Sequence, residues 1–195
     1  MSDTYITFEI NEDKRLRIVH EYDNAEDPRN WDNLGTMVCW HSRYRLGDDH
    51  DLNSPDDFNM SSEDYAIVLP LYLYDHSGIT ISTQPFSCRW DSGQIGWIYV
   101  TKAKLREDYG VKRITAKVLE QAEACLLAEV ETYDLFIRGE VYGFILEERE
   151  NCQDCGHDEW NHADSCFGFY GDDWENNGLL GHLDKDVADA IRSNL

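Results

Sequence analysis

The sequence predicts an α+β fold: an antiparallel or mixed sheet of about five or six strands packed against one long helix, with acidic loop-rich segments attached. Three observations carry this reading. Short runs alternate apolar and polar residues between turn-forming clusters, one long run repeats its apolar residues every three or four positions, and a strand-like run follows it. Hairpins, then a helix, then a strand are most simply satisfied by a sheet with a helix laid across it.

The elements follow in order. Ile6, Phe8 and Ile10 share one face of Tyr5–Ile10, and Leu16–His20 repeats the pattern after Asn11-Glu12-Asp13, which predicts an opening hairpin. Residues 21–64 are rich in Asp, Asn, Ser and Pro and read as an acidic loop insertion, broken by a Trp-rich island over 31–44 that tucks into the core. A second hairpin joins 71–74 to 79–83 through Asp75-His76-Ser77-Gly78, with Pro70 and Pro85 placing it toward a sheet edge. Trp97–Val100 makes a further strand.

Thr101 caps a short basic helix ending at Gly110, and Thr115 caps a long one to about Ile137, with Gly139 as its stop. Ile114 and Leu119 have the spacing of a hydrophobic staple. Leu119, Ala122, Leu126, Val130, Tyr133 and Ile137 form its inward stripe, and Glu120, Glu123, Glu131 and Asp134 lie on another face. Val141–Leu146 returns as a strand. An irregular Cys/Gly/Asp-rich segment then leads to a terminal helix from about Asp184, with Val187 and Ile191 inward. A single domain over 1–195 is expected, its acidic C-terminal segment running over about 147–195.

Charge is the strongest signal. The chain carries a formal −22 on 195 residues, and 42% of it is apolar, so the acidity decorates a folded body and not a disordered chain. Such a surface repels nucleic acid and anionic membrane and attracts basic protein surfaces. The charge matches that of about one turn of duplex DNA, roughly 11 base pairs at one charge per 1.7 Å. It is also concentrated: residues 21–64 hold 12 acids against 3 bases, and residues 147–189 hold 13 against 2. Asp48, Asp49, Asp51, Asp56 and Asp57 in the first stretch, and Asp172, Asp173 and Glu175 in the second, are the candidate partner-binding residues. The first group lacks the central glycine and closing glutamate of an EF-hand.

Six cysteines, no basic apolar leader at the N-terminus and no apolar run near 18 residues lead us to expect a cytoplasmic protein, with thiols or metal ligands and not disulfides. Cys152 and Cys155 are spaced to hold a metal from one turn, and His162 (or His157) with Cys166 completes a Cys3His set for a structural Zn2+. The alternative places Cys152 and Cys155 in an exposed loop and Cys166 in the core. Asp164–Trp174 alternates glycines with aromatics ahead of Asp172 and Asp173, a pattern that serves a cation, a basic partner or simply a packed loop. Cys39 lies near His41, and Cys88 beside Arg89, but a nucleophile needs a base placed in space, so packing roles are expected. Phosphate-binding loops, nucleophile elbows and His-Glu-x-x-His zinc motifs are absent.

The segments Trp31–His41, Leu69–His76 and Asp164–Asp173 resemble signature segments of uncharacterised small acidic proteins encoded by bacteriophages and mobile genetic elements. The resemblance implies an accessory gene of a phage or plasmid and carries over no catalytic residue. In composition alone, the chain also resembles DNA-mimic antirestriction proteins. The expectation is a non-enzymatic, anti-defence inhibitor that occupies a basic surface of a host nuclease or other nucleic-acid-binding defence protein. Two alternatives stand beside it: a metal-binding module or enzyme centred on 152–173, and an acidic accessory protein whose charge serves solubility.

Overall fold

The computed structural model describes residues 3–151 and 158–195. Its strands are β1 (Thr4–Asn11), β2 (Lys14–His20), β3 (Thr36–Cys39), β4 (Tyr65–Asp75), β5 (Ile79–Ser82), β6 (Ser92–Thr101), β7 (Val141–Asn151) and β8 (Asp158–Tyr170). Its helices are α1 (Lys102–Asp108), α2 (Ala116–Ile137) and α3 (Lys185–Arg192). The class is α+β, as the sequence predicts. The single sheet of five or six strands is not what forms: eight described strands make two four-stranded antiparallel sheets, ordered β1-β2-β7-β8 and β3-β6-β4-β5. Contacts divide the chain into two compact units, Asp27–Arg138 and the pair of segments Met1–Glu26 and Gly139–Leu195.

In the unit Asp27–Arg138, the alternation of β4 and β6 sends Leu71, Leu73, Ile98 and Val100 to one face, where Met37 and Ile81 join them. The 3.6-residue period of α2 sets Val118, Ala122, Leu126, Val130 and Tyr133 against that face. Each fully buried side chain of this size stabilises by roughly 1.5–3 kcal/mol. The caps form as expected: Thr101 Oγ1 accepts from Lys104 N–H at 3.2 Å and Thr115 Oγ1 from Val118 N–H at 3.4 Å. Gly139 sits in the left-handed region at φ 74° just past the helix. The buried stripe starts at Val118 and not Leu119, which is half-buried. Asp134, away from the inward stripe as expected, is nevertheless engaged. Its Oδ1 accepts from Thr80 Oγ1 at 2.6 Å and Ile81 N–H at 2.7 Å, so the helix satisfies a backbone donor of the edge strand β5. Pro70 pairs with Trp97 of β6 but lies outside the stretch, Tyr72–Asp75, that pairs with β5. Its missing N–H therefore costs no ladder bond on that side.

In the other unit, the opening hairpin forms as predicted and β2 pairs with β7 across more than a hundred residues of chain. Leu16, Ile18, Phe144, Leu146 and Phe169 pack against Leu179, Leu180, Val187, Ala188 and Ile191. The C-terminal segment, expected to be irregular, begins instead with two long paired strands. Several of its acids are fixed in ion pairs on the sheet: Glu147 with Arg15 at 2.6 Å and Arg17 at 3.1 Å, Glu148 with Lys14 at 2.9 Å, and Asp158 with Arg149 at 2.5 Å. Sequence periodicity misses β8 because it is a largely exposed edge strand with two register shifts against β7. No helix among the described residues is long and apolar enough to cross a membrane.

Candidate functional site

The candidate site grows from the end of β3. Residues after Cys39 leave the sheet, turn at Gly47 (φ 74°), and return so that Gly47 bridges to Val38 and Asp48 N–H donates to Met37 O at 2.7 Å. Gly47 N–H also donates to the Tyr133 hydroxyl at 3.0 Å, tying the loop to α2. A Cβ at Gly47 would come within 2.6 Å of the Met37 carbonyl oxygen, so this approach requires glycine.

The loop borders an open cleft of about 820 Å³ lined by residues 39–42, 44–46 and 48–51. Its walls are aromatic and acidic. Trp40 packs against His50 at 4.8 Å and edge-on to Trp97 at 5.8 Å, while the His41 ring stacks on Tyr44 at 5.0 Å and 10°. His41 Nδ1 accepts from the backbone N–H groups of Arg43 and Tyr44, each at 3.3 Å, which fixes that nitrogen as the unprotonated one. His50 Nε2 bonds the Cys39 carbonyl at 3.1 Å and so carries the proton. Its Nδ1 is buried with no hydrogen-bond partner among the described residues.

Cys39 lies in the same wall. Burial pushes its thiol from 9.0 up to about 12, with the Asp48 charge acting in the same direction and Arg29 against it. A thiol so placed is a packing group and not a nucleophile. Cys88 Sγ donates to Asp91 Oδ2 at 3.6 Å.

The predicted partner-binding acids have different fates. Asp48 accepts from Arg29 Nε and Nη2 at 2.8 and 2.9 Å and from Met37 N–H at 2.8 Å. Arg29, only 4% exposed, also reaches Glu129 of α2 at 3.3 Å, and Glu129 accepts from Leu34 and Gly35 N–H. Asp48 is thus part of a buried ion network that holds the loop to the helix. Asp49 is exposed and pairs with Arg45 at 2.5 Å; Asp51 and Asp56 are exposed. Asp57 accepts from Asn53 and Ser54 N–H and braces the turn Pro55–Asp57.

In the other unit, Asp172 is exposed, Asp173 accepts from Asn176 and Glu175 forms a two-pronged pair with Arg192 at 2.8 and 3.1 Å. These bonds hold the Asp173 and Glu175 carboxyls below their ordinary range.

Of the predicted zinc ligands, Cys152 and Cys155, like the alternative His157, lie outside the described residues. Cys166 pairs with Phe144 on the core face of β8, and His162 pairs with Glu147, three positions along β7 and hence on the opposite face. The register shift between Asp164 and His162 produces this separation. His162 Nε2 lies 3.0 Å from Ser165 Oγ. No group of three potential metal-holding side chains occurs among the described residues.

Compared with family models, curated proteins and solved structures, the chain matches none of them. Its function is read from its chemistry. Arg29 and Glu129, the residues that hold the site together, escape sequence reading because they are 100 residues apart. Arg29 is one of three arginines among the twelve acids of 21–64, and nothing local singles it out as the partner of Glu129.

Proposed function

We propose that this is a non-enzymatic acidic binding protein that presents carboxylates to a basic surface of a nucleic-acid-binding or defence protein of a bacterial host, competing there with nucleic acid. One observation carries the reading: exposed Asp49 and Asp51 line the same cleft as Trp40 and Tyr44, a combination of carboxylate and aromatic face suited to cationic side chains. The net charge of −22 supplies long-range steering toward such a partner. Phage or plasmid origin belongs to this same proposal and rests on the resemblance of the three segments quoted above.

The test is affinity capture from bacterial lysate at low and high salt, with duplex DNA as competitor. A nucleic-acid-binding protein retained at low salt, released by salt and displaced by duplex supports the proposal. Two charge-neutralised variants accompany it, Asp49→Asn with Asp51→Asn and Asp56→Asn, and Asp172→Asn with Asp173→Asn and Glu175→Gln. Equal capture by both variants, or indifference to duplex, rejects mimicry.

A further inference from the structure

We propose that the cleft at residues 39–51 receives an arginine side chain of the partner, and that Arg45 stands in for it in the unbound protein. This rests on the binding-protein reading and specifies the group bound. Three features select guanidinium. The stacked His41–Tyr44 pair is a planar wall that already carries one guanidinium, Arg43 Cζ lying 5.5 Å from the Tyr44 ring centroid, and a planar cation stacks on such a wall better than an ammonium does. Asp49 and Asp51 add exposed carboxylates, which accept the fork of guanidinium N–H donors. At about 820 Å³ the cleft is far larger than one side chain needs, so the residues flanking the arginine enter with it.

Arg45 gives the second line of argument. It lines the cleft, and its guanidinium nitrogen lies 2.5 Å from Asp49 Oδ1, so the site already holds a guanidinium–carboxylate pair. That pair is displaceable. Its side chains are 85% and 81% exposed and four residues apart, an arrangement that contributes little because water screens it. Asp48 is by contrast committed to Arg29, which is 4% exposed and gripped through two nitrogens. The loop therefore separates a permanent arginine, which builds the cleft, from an exchangeable one at its mouth.

The experiment titrates the full chain at low salt with two short peptides, Gly-Arg-Gly-Arg-Gly and its lysine counterpart, following backbone amide shifts. The arginine peptide should bind about two- to fivefold tighter, with shifts centred on residues 39–51. Arg45→Ala should tighten it about twofold by removing the internal competitor, and Asp51→Asn should weaken it about two- to fivefold. Asp172→Asn with Asp173→Asn should leave it unchanged. Equal binding of the two peptides, or shifts centred on 172–175, overturns the arginine site while the acidic binding-protein reading survives. Failure of both peptides to bind at low salt removes both. Asp51→Asn and Arg45→Ala alter exposed side chains, so unchanged amide spectra outside the loop verify the fold in each variant.

Discussion

At the residue scale the most consequential side chain is Arg29. It is nearly buried, donates to Asp48, Glu129 and the Gly35 carbonyl, and joins the loop over 27–48 to α2. Removing one partner of a buried pair strands the others without compensation, at a cost of about 3–5 kcal/mol. Arg29→Met should therefore lower stability by about that amount in urea unfolding; a loss under about 1 kcal/mol would show that water replaces the guanidinium. Cys39 gives a pH signature. Its folded pKa is raised from 9.0 to about 12, so stability is unaffected below pH 9 and falls as pH rises toward about 12, where the unfolded thiol ionises and the folded one does not. Cys39→Ala should lose less stability than the natural chain between pH 8.5 and 10.5, and Cys39, which lines the cleft but stays protonated, should alkylate more slowly than a free thiol at pH 8.5. Alkylation of the folded protein at the rate of a free thiol would contradict the raised pKa.

At the element scale, β3 depends on one close approach. Gly96 of β6 pairs with Cys39, and a Cβ there would overlap the Val38 carbonyl oxygen, a backbone atom that cannot rotate away. Gly96→Ala should destabilise by at least about 1–3 kcal/mol and disorder the cleft that begins where β3 ends. Thermal melting and loss of the residue 39–51 amide shifts would report it. The β8 register makes a second prediction, because His162 and Cys166 occupy opposite faces of the strand, an arrangement that does not bring both to one metal. Zinc analysis of protein purified without added metal, on His162→Ala and Cys166→Ser separately, should show a loss in one variant at most; losses in both would mean that β8 re-registers around the ion. The caps and the stop glycine of α2 are legible in sequence because each acts within a few residues. β8 is not, since an exposed edge strand has no buried face to impose a period of two.

For the whole molecule, 39 acids against 17 bases set a repulsion that favours expansion. Adding salt shortens the screening length to about 10 Å at 0.1 M, so the melting temperature should rise between low salt and about 0.2 M sodium chloride. A fall would mean that the ion pairs on the sheet β1-β2-β7-β8 outweigh the repulsion. The sequence by itself determined the α+β class, both hairpins, the extent of α2, the terminal helix and the overall charge, because propensity, capping and composition are local or additive. Only the tertiary structure decided that the strands divide into two sheets, that Asp48 is consumed by Arg29 while Asp49 and Asp51 face a cleft, and that Glu147 answers Arg15 and Arg17. An acidic residue reads the same in sequence whether it is wet or paired. What distinguishes the two is a partner brought close by the fold, and in this chain that partner lies 19 residues away for Asp48 and more than 100 for Glu147.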